Sequence, residues 1–93
     1  MKLGQAVKTL RKKRGISQKK VAHKSGITQG YISLIEKNKK EPGFDLIDKI
    51  ANTLDIPPQL IFLMAYSQSN KSGRFKKPLR NIALAADEIL RAI

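Results

Sequence analysis

Between Gly15 and Pro42 the chain has room for two short helices and a tight corner between them, and that restriction governs what the rest can build. Ser17 is placed to cap a helix that runs through Val21 and Ala22 and stops at Gly26. Thr28 caps the next, which runs through Ile32 and Ile35 to about Lys37. Pro42, with no amide hydrogen to donate, rules out continuing that helix across the loop Lys37-Asn38-Lys39-Lys40-Glu41-Pro42-Gly43. Two helices joined through Gly26 and Ile27 must cross steeply. Ala22 supplies a small side chain at the crossing, and Val21, Ile27, Ile32 and Ile35 supply the apolar seam. At about 100° per residue, Gly30, Ser33, Leu34 and Lys37 fall opposite that seam. A solvated face in so Lys-rich a chain would carry Lys and Glu. A face of Gly, Ser and Leu points to contact with a partner.

The flanks follow the same helical rhythm. Leu3, Ala6, Val7 and Leu10 recur at spacings of three and four, so a first amphipathic helix is predicted over residues 2 to 14, with Gly15 at its left-handed stop and Ile16 contacting back. Lys20 stands where a capping box after Ser17 would need Glu or Gln, so the cap is expected without the box. A fourth helix begins near Phe44, with Asp45 and Asp48 favourable to its dipole and Ile47, Ile50, Ala51 and Leu54 as its buried stripe. Pro58 suits the first turn of a fifth, predicted over Pro58 to about Tyr66.

Leu60 to Ala65 are six consecutive apolar residues, more than a helix of about two turns buries against so small a domain. Leu60, Phe62 and Leu63 are therefore expected at a subunit contact. Ser67 to Pro78 read as a flexible linker. A sixth, amphipathic helix is predicted over 79 to 93, where Leu79, Ala86 and Ile93 are spaced by sevens with Ile82 and Ile89 between them. It either folds back on its own domain or pairs with another subunit, and Leu79, Ile82, Ala86, Ile89 and Ile93 are its candidate dimerisation residues. The organisation expected is thus a helical domain over 1–66, a linker over 67–78 and a C-terminal helix over 79–93. Strand alternation is absent, and the fold class is all-α.

Charge narrows the partner. The 93 residues carry 19 Lys and Arg against 7 Asp and Glu, a formal charge of +12, which suits a polyanion such as nucleic acid. Residues 1 to 64 alone hold thirteen basic and five acidic side chains, so the folded body itself is cationic. The absence of cysteine removes disulfides, thiol nucleophiles and cysteine zinc sites. The start Met-Lys-Leu-Gly-Gln lacks the apolar core of a secretory signal, and the longest apolar run, Leu60 to Tyr66, falls far short of the roughly 20 residues a bilayer span requires. A cytoplasmic protein with no membrane partner is expected. His23, the single histidine, has no carboxylate at ligand spacing and reads as a surface residue on the second helix. No glycine-rich phosphate loop or nucleophile support is present, so no catalytic residue, metal or cofactor is assigned.

Ile16-Ser17-Gln18, Val21-Ala22, Gly26-Ile27-Thr28, Tyr31-Ile32-Ser33, Ile35-Glu36, Lys39-Lys40 and Pro42 together resemble the Cro/cI-type, or phage-repressor-like, helix-turn-helix family. The resemblance covers residues 2 to 64 and implies a five-helix lambda-repressor-like domain whose third helix enters the DNA major groove. By it, Gln29, Gly30, Ser33 and Leu34 occupy base-reading positions. Gln29 matches adenine N6 and N7, Ser33 donates or accepts, and Leu34 meets a thymine methyl. Gly30 departs from a long polar reader and instead lets the backbone come close, which leaves part of the reading to DNA shape. Gln18, Thr28, Tyr31, Lys37, Asn38, Lys39 and Lys40 carry over as phosphate contacts.

Each of these residues also has a structural use. Ser17 and Thr28 are first of all helix caps, Tyr31 packs its ring beside Ile32 and Ile35, and Glu36 is expected in an ion pair inside the domain. The function expected is a sequence-specific double-stranded DNA-binding regulator, a repressor acting as a homodimer on a palindromic operator. An antitoxin or a restriction-modification controller protein fits the same fold, with the C-terminal helix open to a protein partner such as a toxin or RNA polymerase. An interaction or co-activator module is the reading from a different class.

Overall fold

The computed structural model describes residues 2–69 together with Glu88 and Arg91. Five α-helices form the domain: α1 (Leu3–Lys13), α2 (Gln18–Ser25), α3 (Gln29–Glu36), α4 (Phe44–Leu54) and α5 (Pro58–Ser69). This is the lambda-repressor-like arrangement that the resemblance implies. α1 packs chiefly on α5 and also on α3, while α2 lies against both α3 and α4.

Local chemistry sets the helix ends. Ser17 Oγ accepts from the Lys20 amide at 3.1 Å, and Thr28 Oγ1 accepts from the Tyr31 amide at 3.0 Å, so both corner helices start on a side-chain cap. α1 ends with Gly15 at φ +68°, and the Ile16 amide returns to the Arg11 carbonyl at 3.1 Å. Gly26 does the same for α2 at φ +74°, with the Ile27 amide donating to the Ala22 carbonyl at 3.0 Å.

α4 ends on a residue that composition does not mark. Asp55 takes the left-handed conformation at φ 57°, a position that usually favours glycine. Arg14 braces the same corner, its Nε donating to the Leu54 carbonyl at 2.9 Å and its Nη2 lying 3.8 Å from Asp55 Oδ2.

One core holds the five helices together. Ala6, Val7 and Leu10 of α1 meet Val21, Ile32, Ile35, Ile47, Ile50 and Leu54, all fully buried or nearly so. The run on α5 divides differently from its sequence expectation. Leu60, expected at a subunit contact, is only 1% exposed and lies in the core with Ile61, Met64 and Ala65. The domain absorbs these four because α5 is flanked by α1 on one side and α4 on the other, so two faces are buried rather than one. Phe62 and Leu63 are left half-buried.

α5 also runs through Ser69, three residues beyond its expected end, with Ser67 Oγ donating to the Met64 carbonyl at 3.0 Å. No proline or glycine interrupts it there. Apart from Ser67–Ser69, the expected linker lies outside the described residues. So does the expected C-terminal helix with Leu79, Ile82, Ala86, Ile89 and Ile93, save Glu88 and Arg91, which are helical and exposed.

Candidate nucleic-acid interface

The second corner helix has two distinct sides. Ile32 and Ile35 are fully buried, and Tyr31 and Ile27 pack partly against the same core. On the outward side, Gln29 and Gly30 are exposed, Ser33 is half-buried and Leu34 is 37% exposed. The four residues expected to read bases therefore share one accessible side of α3. Nothing in the protein's own packing calls for glycine at position 30, since an added Cβ would come no closer than 3.9 Å to Thr28 Oγ1.

A buried polar cluster fixes this helix to its neighbours. Glu36 is 4% exposed, and its carboxylate accepts from Arg11 Nε at 2.7 Å (Oε2) and from Arg11 Nη2 at 3.0 Å (Oε1). The guanidinium also donates from Nη1 to the Ile16 carbonyl at 2.9 Å, which ties in the turn before α2. Gln18 Nε2 donates to Glu36 Oε1 at 3.0 Å. A two-pronged Arg–carboxylate contact constrains orientation as well as distance, so α1, α2 and α3 are held at a set angle. The ion pair expected for Glu36 is present, with Arg11 as partner. Gln18, expected to grip phosphate, spends one amide hydrogen inside this cluster and is half-buried. Its second amide hydrogen is the one left for an outside acceptor.

Behind α3 the chain turns on Asn38 at φ 60°, and the amides of Asn38 and Lys39 close the helix onto the Ile35 and Leu34 carbonyls at 2.9 Å each. Asparagine tolerates this conformation better than most residues. The turn leaves Lys37, Asn38, Lys39 and Lys40 all exposed in one strip at the end of α3. Thr28 is exposed at the helix start, with its hydroxyl oxygen engaged as the cap, and Tyr31 is half-buried.

Two contributors escape a reading of local pattern. Gly4, on α1, sits so close to the end of α3 that a Cβ there would collide with the Ile35 carbonyl oxygen and approach Asn38 Oδ1 to 2.8 Å. Lys2 joins Gly4, Asn38, Lys40 and Glu41 around a cleft of about 110 Å³. No local signal marks either residue, because their neighbours lie more than 30 positions away. Phe62 and Leu63 belong to α5 and form no part of this strip. Among the described residues no group of His, Cys, Asp or Glu side chains converges as metal ligands would, and no helix is long and apolar enough to cross a membrane.

The model of a helix-turn-helix family matches residues 7–61, well over half of the chain and both corner helices with their caps. The chain belongs to the Cro/cI-type helix-turn-helix family. Among regulators of this type, it is 34% identical over 55 residues to the HTH-type transcriptional regulator SinR of Bacillus subtilis, a stretch covering 58% of this chain and 50% of SinR. It is 30% identical over 56 residues to the immunity repressor protein of Bacillus phage phi105, covering 60% of this chain and 39% of that one. The chain thus matches half or less of the length of these two relatives.

Solved structures of similar Cro/cI-type shape include the restriction-modification controller protein C.AhdI from Aeromonas hydrophila. It shares 34% identity at a TM-score of 0.62, with 66% of this chain and 92% of that chain covered. The clp gene regulator ClgR from Corynebacterium glutamicum, at 20% identity and a TM-score of 0.73 over 89% of this chain and 88% of that one, shows likeness of fold.

Proposed function

We propose that this Cro/cI-type chain is a sequence-specific double-stranded DNA-binding transcriptional regulator, acting as a repressor on a palindromic operator as a homodimer. The observation that carries the reading is the accessible side of α3, where Gln29, Gly30, Ser33 and Leu34 stand together beside the exposed Lys37–Lys40 strip. Such a helix enters a major groove with its first turns at base edges while the adjoining cations hold the backbone. Gln29 pairs with adenine, Ser33 bonds a base edge, Leu34 meets a thymine methyl, and Gly30 admits close approach. Lys37, Asn38, Lys39, Lys40, Thr28, Tyr31 and the remaining amide hydrogen of Gln18 grip phosphates and set the register.

The homodimer is supported by apolar side chains that remain accessible among the described residues. Phe62 and Leu63 remain half-buried on α5, and Phe44 stands 77% exposed with its ring centroid 5.8 Å from that of Phe62. Exposed apolar side chains of this kind mark contact sites, and the sequence spacing of Leu79, Ile82, Ala86, Ile89 and Ile93 offers a further apolar stripe for a second copy. Two-fold symmetry in the protein then matches a palindrome with half-sites about one helical turn apart. Repression follows most simply, because an occupied operator obstructs polymerase without further machinery.

A controller protein is the second reading, favoured by the 92% coverage of the C.AhdI chain at 34% identity. Selection of bound sequences from a random duplex pool tests the main proposal. A palindromic motif is expected to enrich, and failure to enrich any motif at physiological salt would overturn it. The genes beside the genomic copies of that motif separate the two readings: a controller's sites adjoin restriction and methylation genes.

A further inference from the structure

Charge is divided unevenly along this chain. Residues 1–40 hold twelve Lys and Arg against one carboxylate, Glu36, which is buried against Arg11. Residues 41–69 hold four carboxylates against Lys49 alone. Three of the four, Glu41, Asp45 and Asp48, are exposed at the start of α4. Glu41 lies on the rim of a groove of about 310 Å³ lined by Leu3, Pro42, Phe44, Ile47 and Phe62, and Asp45 and Asp48 flank Phe44 along α4, one and four residues on.

Carboxylates repel a duplex, so the groove beside Phe44 is not itself suited to DNA. An exposed Phe44 on an acidic rim calls for a partner that is apolar and basic together. The chain contains such a segment. Arg74, Lys76, Lys77 and Arg80 lie before and at the start of the stripe over 79–93, and its carboxylates, Asp87 and Glu88, come in its second half, followed by Arg91. Glu88 and Arg91, both off the stripe, are helical and exposed.

We propose that residues 74–93 of one copy seat on the Phe44–Phe62 groove of a second copy, reciprocally, so that the homodimer forms by exchange of C-terminal segments. Basic residues 74–80 then face Glu41, Asp45 and Asp48, while the stripe covers Phe44 and Phe62. Nine residues separate Ser69 from Leu79, a span of about 30 Å when extended, whereas Phe62 lies only about 10 Å back along α5. The segment therefore reaches either its own groove or a partner's. A seat on its own domain would consume both apolar surfaces within one chain and leave a second copy little to bind. The exchange satisfies both in one two-fold interface. This inference rests on the homodimer reading given above.

Charge reversal in the full-length chain tests it. One variant carries Glu41→Lys, Asp45→Lys and Asp48→Lys, and the other Lys76→Glu, Lys77→Glu and Arg80→Glu. Sedimentation equilibrium of each alone is expected to show the dimer dissociation constant raised by about tenfold or more, and an equimolar mixture is expected to recover a mixed dimer of near wild-type affinity. Phe44→Ser, at an exposed position, is expected to weaken the dimer comparably without loss of helix by circular dichroism. A mixture that stays monomeric, or a Phe44→Ser dimer of unchanged affinity, overturns the exchange. Recovery in one chain bearing all six changes but not in the mixture assigns the segment to its own domain and equally overturns it. A wild-type dimer untouched by every variant removes this inference and leaves the homodimer standing, whereas a monomeric wild type removes both.

Discussion

A methyl group at Gly30 would find open space around it, with Thr28 Oγ1 the nearest atom at 3.9 Å. Glycine inside a helix nonetheless costs about 0.5–1 kcal/mol relative to alanine. Gly30→Ala is therefore expected to raise unfolding stability by about that amount in urea titrations. The same methyl would stand between α3 and the base edges, so operator affinity is expected to fall while stability rises. If both rise, α3 does not approach the bases at that point. Gln29 tests the reading side from the other direction. Gln29→Ala is expected to relax base preference at one or two positions and to cost about 1–3 kcal/mol on the selected site, measured by competition against single-base variants of the operator.

Between elements, the close approach of α1 to the end of α3 depends on Gly4 having no side chain. Gly4→Ala sets a Cβ against the Ile35 carbonyl oxygen, a backbone atom that cannot rotate away. A loss of about 1–3 kcal/mol is expected from such overpacking, read as a lower urea midpoint. The Arg11–Glu36–Gln18 cluster is the second device at this scale. Removing one partner of a buried ion pair strands the other charge, so Glu36→Ala is expected to cost about 3–5 kcal/mol. Changing both, Arg11→Met with Glu36→Leu, is expected to restore much of that stability, because neither charge is then left buried alone. Specific DNA binding by the double variant should remain impaired, since Gln18 loses its acceptor and α3 its fixed angle. Full binding would show the cluster to be structural only.

Across the whole molecule, basic residues dominate positions 1–40, twelve against one carboxylate, and include the exposed Lys37, Lys39 and Lys40 at the end of α3. Affinity for duplex DNA is expected to fall steeply with salt, with a slope of log K against log salt of about −0.9 for each phosphate neutralised. Lys39→Ala is expected to weaken binding to specific and random duplex alike and to flatten that slope by about one. A change confined to the selected operator would place Lys39 among the readers instead.

The sequence by itself determined the parts that local interactions control. Ser17 and Thr28 cap amides three residues away, Gly15 and Gly26 supply the left-handed stops, and apolar spacing of three and four marks the buried side of each helix. Those forces act within one or two turns, so neighbours in sequence suffice to read them. The exposed side of α3 was legible for the same reason, since burying Ile32 and Ile35 turns Gly30, Ser33 and Leu34 outward. Only the tertiary structure decided which distant surfaces meet. Arg11 reaches Glu36 across 25 positions, Gln18 turns one amide hydrogen inward to the same carboxylate, and Gly4 admits the end of α3. Leu60 goes into the core because α1 and α4 both close on α5, whereas Phe44, which opens an amphipathic helix, is left outside it. A residue's fate at such points depends on the side from which another helix arrives, and no local pattern carries that information.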